Sequence, residues 1–396
     1  MKDVGPQLPR CDEGVIDRTK ALRTAKVWHG ADDAFDKIRL AFGAETLSLV
    51  ALFVTAEADF EAVVSQARAH FPQSDVIACT TAGEIGSAGY ADGQIIAVGF
   101  PEAHFTSTSI LIEQLNDHDA TKMVDQIALE RLGMQNLNPD MQQGFAFLMV
   151  DGLSLKEDVL TASIAPALRD MPLFGGSAGD GARFEETRVA LNGQAYSDAA
   201  ILTLICTDHE TKVFSLDHLV PTDNQMVVTG AAPDQRIVKS INAEPAAREY
   251  ARIVGKDPEQ LDRMTFASHP VVVRIGGQHH VRAIQHVNDV GELVFFSAID
   301  EGMVLTLAEP LNLAQHLDKQ LTQIAEYGTL SDIIGCDCIL RRIEAEQKQM
   351  TRDVSSILAK HNVTGFSTYG EQIGPLHVNH TMTGVAIYVA PDLAEP

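Results

Sequence analysis

The chain has 396 residues, 45% hydrophobic and 21% charged, the balance of a globular protein with room for roughly two to three domains. Its 30 basic residues against 54 acidic ones give a formal charge of −24. Such a field repels phosphate backbones and anionic lipid, so neither nucleic acid nor a membrane is an expected partner. No run reaches the ~18–20 apolar residues of a bilayer span. The polar start, with Pro6, Pro9, Asp12 and Glu13, lacks the apolar core of a secretory signal. The expected location is cytoplasmic. Five cysteines, an odd number, fit a reducing compartment better than a disulfide framework.

After a tail over 1–25, a strand end near Trp28 leads to a predicted helix over 32–42, with Asp32 or Asp33 placed to cap it. The continuous apolar run 47–55 reads as a strand buried on both faces, followed by a helix over 60–71 and a second buried strand over 75–81. This alternation is the signature of an α/β layer. Strands over 94–100 and 105–113, a helix over 120–132, a strand over 145–150 and a helix ending near Arg169 follow. Phe174-Gly-Gly-Ser-Ala-Gly-Asp180 reads as a loop, too rich in glycine for helix or strand. Asn192-Gly193, between strands over 188–192 and 199–207, is a hairpin signal.

The pattern breaks at Pro221, Thr222, Asp223 and Asn224, which places a domain boundary near 215–228. Beyond it come a helix over 244–254, strands over 270–275, 281–287 and 293–299, the middle one pairing with the first across Gly276-Gly277, and a helix over 312–327. A strand over 331–340, one long helix over 343–361 and a closing strand over 385–389 complete the chain. The fold class is therefore α/β: a two-domain, mixed-sheet, layered protein with units at 26–220 and 228–391. The long helix could serve a homodimer as easily as a core.

Several motifs could carry chemistry. Cys336-Asp-Cys338 puts two thiols on one face of a strand; without further cysteines nearby, they read as small core residues rather than a zinc site. Asp151, just past a strand, is either a helix cap or a site carboxylate. Gly175 to Asp180 could cradle an anion, but lacks both the P-loop lysine and the dinucleotide spacing. A hydrolase built on Asp151, Asp180 and Glu84 is conceivable, yet no nucleophile elbow or metalloprotease motif is present and no enzyme is expected. The densest stretch is Gly365-Phe-Ser-Thr-Tyr-Gly-Glu-Gln372 followed by His377-Val-Asn-His380. An aromatic, glycine-rich turn, a carboxylate and two histidines beside a strand are the composition of a ligand pocket.

Cys79-Thr-Thr-Ala-Gly-Glu-Ile85, Asp151-Gly-Leu-Ser154, Phe174 to Asp180 and Asn192-Gly193, in that order, resemble the N-terminal region of the FIST family of bacterial sensory domains. Cys336-Asp-Cys-Ile-Leu-Arg-Arg342 and Gly365 to Gln372 resemble its C-terminal region. The closing motif is similar to the variant found in NosP, the nitric-oxide-sensing haemoproteins. The resemblance covers about 26–215 and 228–390. It implies a signal-transduction sensor with its ligand in the C-terminal region: haem b as cofactor, nitric oxide as signal, and a histidine kinase or cyclic-di-GMP enzyme as partner.

Haem needs an axial ligand, an apolar slot and cations for its propionates. In the closing strand Val385, Ile387 and Val389 form one apolar face; in that phase His377 points inward and His380 away, unless Gly384 marks a bulge. His377 also matches the family's Leu-His-Val-Asn pattern, whereas His380 stands where those sensors are expected to carry glutamine. Arg341 or Arg342 could meet a propionate, and Phe366 and Tyr369 could stack on a planar ligand. The plain alternative is an imidazole at His377 tying a strand end to Glu371. A further alternative is the His279–His286 hairpin, where His280, Arg282 and His286 share a face. Without haem, a FIST sensor of another small molecule such as an amino acid would use Glu371 for the amine and an arginine for the carboxylate.

Overall fold

The computed structural model describes residues 20–117 and 120–389. Residues 1–19 of the tail expected over 1–25, Cys11 among them, and residues 390 and 391 of the second unit lie outside the described residues; the end of that tail enters the strand Arg23–Trp28.

Leu47–Thr55 is apolar along its length because it is a central strand: it runs parallel to Asp75–Thr81 and antiparallel to Gln94–Pro101, with both faces covered. Helices Ala34–Phe42 and Phe60–His70 cover one face with Phe35, Ile38, Val63 and Val64. Asp59 caps the second helix by accepting from the Ala62 N–H. Asp33 occupies the N-cap of the first but makes no side-chain capping bond. The Val189–Leu191 and Gln194–Tyr196 hairpin turns on Asn192 and Gly193, at φ 51° and 90°, the left-handed pair such a turn requires; the strand expected as its second arm, Ala199–Thr207, pairs instead with Phe105–Glu113 and Gln143–Val150.

A second sheet has the order Leu376–Val378, Glu371–Ile373, Leu173–Ser177, Gln143–Val150, Ala199–Thr207, Phe105–Glu113. A third has the order Glu210–Leu216, Met382–Tyr388, Leu330–Cys338, Val363–Thr368, Glu84–Gly86, Gly89–Ala91. Both sheets mix strands from the two halves of the sequence: Glu371–Ile373 extends Leu173–Ser177, and Glu84–Gly86 extends Val363–Thr368. One core joins the first three sheets, with Phe53, Phe147, Phe174, Phe366, Ile334 and Val385 among its members. The eight-stranded fourth sheet, built from segments between Leu219 and Pro310, encloses a separate core around Val228, Tyr250 and Phe295.

Three sequence expectations change. The glycine segment is not a loop throughout: Leu173–Ser177 is a strand parallel to Gln143–Val150. Its glycines answer crowding, since a Cβ at Gly175 would stand 2.2 Å from the Leu148 carbonyl oxygen and one at Gly176 2.5 Å from Thr368 Cγ2. The helix over 343–361 is two helices, Ile339–Gln347 and Thr351–Lys360. The break contains Gln349 at φ 56°, and Val354 and Leu358 of the second helix pack into the chain's own core. The segment 281–287 divides: Gln278–Arg282 pairs with Val271–Ile275, whereas Ile284–Val287 pairs with Leu293–Phe295.

Candidate functional site

The hairpin Glu371–Ile373 and Leu376–Val378 stands at the edge of the second sheet, against the glycine strand Leu173–Ser177. Alternation along it separates two environments. On one side His377 faces a buried polar shell; on the other Leu376 and Val378 line a cleft of about 460 Å³.

In the shell, the Gln372 side-chain amide donates to Ser177 Oγ at 2.9 Å and lies 3.3 Å from His377 Nδ1. Arg282 Nη1 donates to the His377 carbonyl at 3.3 Å. Four buried polar atoms here have no hydrogen-bond partner among the described residues: His377 Nε2, Gln372 Oε1, Asn379 Oδ1 and Arg282 Nε. Buried groups are ordinarily paired, so these atoms call for ordered water or a ligand as partners. Burial holds the His377 imidazole below its ordinary pKa, favouring the neutral ring.

The cleft lies between the sequence halves. Leu173 and Val213 come from the first half; Val281, Ile373, Leu376 and Val378 come from the second; Ser215, Asp217, His280 and Thr381 supply polar groups. Largely apolar walls with a few converging polar groups are the ordinary make-up of a small-molecule site. Burial lowers the pKa of His280, so its ring is neutral at pH 7.

The five residues singled out from sequence do not line one slot. Phe366 lies in the shared core, its ring 4.6 Å from that of Phe53. Tyr369 donates its hydroxyl to Asp180 and stacks on Phe184 at 4.3 Å. Glu371 is fully buried and accepts from Thr368 Oγ1 and from the Thr381 hydroxyl and N–H. Despite these donors, desolvation pushes its carboxyl up to about 8, so it is neutral at pH 7. Arg341 is 1% exposed and bonds Asp337 Oδ1 at 2.7 Å; Arg342 forks onto Asp92 at 2.8 and 2.7 Å. The imidazole of His377 packs on Gly370, where a Cβ would lie 2.2 Å from Cε1 and 2.7 Å from Nε2. As a set these residues do not fit a haem: the ring nitrogen is walled by backbone, and the aromatic and cationic members are committed elsewhere.

His380 is not turned away. It adopts φ 56° between the hairpin and the last strand, which places Leu376–Val378 and Met382–Tyr388 in different sheets and ends the alternation that the phase argument assumed. It is 1% exposed. Its Nε2 meets Glu344 Oε2 at 3.1 Å, and His218 Nε2 meets the same oxygen at 2.8 Å. Arg341 Nη1 stands 3.1 Å from His218 Nδ1. Sequence reasoning missed His218 and Glu344, because only the fold brings residues 126 positions apart together.

Cys336 and Cys338 are buried, and desolvation pushes both thiols upward, as expected for core residues. Glu84 and Asp180 both line one cavity of about 270 Å³. Burial pushes Glu84 up to about 7, but the Asp180 carboxylate is taken up by Tyr369 and by the N–H groups of Phe184, Glu185 and Glu186. Asp151 lies apart, holding Thr187 and the N–H groups of Leu153 and Asp198.

The fold and its interdomain cleft are those of a ligand-binding module assembled from two sequence regions. Comparison with family models agrees: residues 48–244 match the FIST N domain and residues 246–374 the FIST C domain. The chain belongs to the FIST family, whose domains are sensory domains of signal-transduction proteins. No curated protein matches the chain. Among the described residues no helix is long and apolar enough to cross a membrane.

Proposed function

We propose that this chain senses a compact, largely apolar molecule bearing one protonated amine, such as an apolar amino acid or a small amine. The ligand sits in the cleft between Leu173, Val213, Ile373, Leu376 and Val378, with its amine toward Asp217. The observation that carries this reading is the two-sided hairpin, with ligand-sized apolar space on the Leu376 and Val378 face and unpartnered buried polar atoms on the His377 face. A molecule pressing on the first face shifts the second, provided that it favours one hairpin position over the other. The output partner implied by the family resemblance is a histidine kinase or a cyclic-di-GMP enzyme.

A thermal-shift screen of apolar amines and amino acids tests the assignment, with Leu376→Trp filling the cleft and Asp217→Asn removing its charge. A true ligand stabilises the wild type, fails on Leu376→Trp and binds Asp217→Asn about tenfold more weakly, the scale of one charge-assisted hydrogen bond. Equal stabilisation of all three proteins would place the ligand elsewhere.

A second reading, haem b with nitric oxide as its signal, rests on the neutral imidazole of His280 in the cleft, since backbone walls off the ring nitrogen of His377. Haemin titration of the wild type, His377→Ala and His280→Ala separates these ligands; absence of a saturable Soret band in the wild type rules the reading out.

A further inference from the structure

At the end of the molecule where Phe105 pairs with Thr207, His104, Asp208 and His209 bring two imidazoles and a carboxylate together. Their ligand atoms all lie within 4.8 Å of one another. His104 Nδ1 and Asp208 Oδ2 are 2.9 Å apart, and the two imidazole rings stand 5.1 Å apart. His209 is 2% exposed; the backbone of Tyr388 approaches its ring, and no side chain hydrogen-bonds either ring nitrogen among the described residues. A surface ion pair between His104 and Asp208 accounts for those two side chains alone. It leaves unexplained why a buried imidazole with a ring nitrogen to spare is held against them, since buried polar atoms are ordinarily paired.

We propose that His104, Asp208 and His209 form a binding site for a divalent transition metal of the zinc class. Nitrogen and carboxylate ligands suit Zn²⁺, and three protein ligands leave a fourth position for water at the exposed side. Ligand atoms about 2 Å from a common ion stand roughly 3 to 4 Å apart, so closing the cluster needs only small rotations of side chains, two of which are partly exposed. The chain's net charge of −24 also favours cation capture. Binding would staple the turn before Phe105 to the turn after Thr207.

The buried His218, Glu344 and His380 offer the same ligand types but suit a metal less well. Arg341 donates to His218 Nδ1 at 3.1 Å, which leaves the ring proton on Nε2, the nitrogen that a metal would need.

Calorimetric titration of chelator-treated full-length protein with Zn²⁺ tests the proposal, using the wild type, His104→Ala, Asp208→Asn and Glu344→Gln. The partly exposed positions of His104 and Asp208 keep those variants folded. One equivalent bound by the wild type, at least tenfold weaker in His104→Ala and Asp208→Asn and unchanged in Glu344→Gln, is the expected result. Co²⁺ should give a spectrum without a thiolate charge-transfer band. Absence of saturable binding in the wild type would overturn the site, as would equal affinity in His104→Ala and Asp208→Asn, or loss confined to Glu344→Gln.

Discussion

The hydroxyl of Tyr369 is bonded to the carboxylate of Asp180, 189 positions earlier in the chain. The same hydroxyl accepts from the Asp180 N–H at 3.1 Å and lies 3.0 Å from the Gly181 carbonyl oxygen, while Asp180 organises the N–H groups of residues 184–186. The glycine-rich motif of the FIST N region and the aromatic motif of the FIST C region thus close on each other. Tyr369→Phe keeps the stack on Phe184 but leaves the buried Asp180 carboxylate short of a donor. Chemical denaturation should show a loss of about 1–3 kcal/mol. A loss near zero would mean that solvent replaces the hydroxyl and that this contact does not join the two regions.

Glu371 predicts a pH dependence. Its folded pKa, pushed up to about 8 by burial, lies above its ordinary value of 4.5. The folded state therefore holds a proton that the unfolded state releases. That contribution is complete below about pH 4.5 and disappears as pH rises through about 8. Glu371→Gln removes the dependence. Its stability relative to wild type should rise between pH 5 and pH 8 by a few kcal/mol, each pKa unit being worth ~1.4 kcal/mol. Parallel pH profiles for the two proteins would show that Glu371 is ionised in the folded state.

Arg341 is a structural cation rather than a free propionate anchor. It is buried against Asp337, which also accepts from the Tyr90 hydroxyl. Arg341→Met strands a buried carboxylate, and urea melts should show a cost of about 3–5 kcal/mol. The double variant Arg341→Met with Asp337→Leu should recover part of that loss. No recovery would mean that Arg341 acts mainly through His218.

Phe366 and Gly176 test the shared core. Phe366→Ala should cost about 3–5 kcal/mol by opening a cavity beneath Phe53. Gly176→Ala should cost about 1–3 kcal/mol by overpacking against Thr368 and Phe366. Neither should change the affinity of a ligand held in the Leu376 cleft, which titration of the folded fraction would check.

The buried strands 47–55 and 75–81 were readable to the residue because each is central in its sheet and carries a continuous buried run. The Asn192-Gly193 hairpin was readable because left-handed backbone favours those residues. Local chemistry determined these elements without help from the rest of the chain. Tertiary contact alone decided the others. Gly175 and Gly176 look like loop residues until Leu148, Phe366 and Thr368 are seen to leave no room for a Cβ. His380 lies opposite to its predicted phase because one left-handed residue sends the chain from one sheet to another, and alternation does not survive that step. The ordered motifs were enough to assign the FIST family. Which of their side chains share a space depends on pairings across more than a hundred residues: Glu371 opposite Gly176, Arg341 beside His218, His104 beside His209. Spacing along a chain carries no record of such distances, because they are set when separate apolar faces are buried against one another.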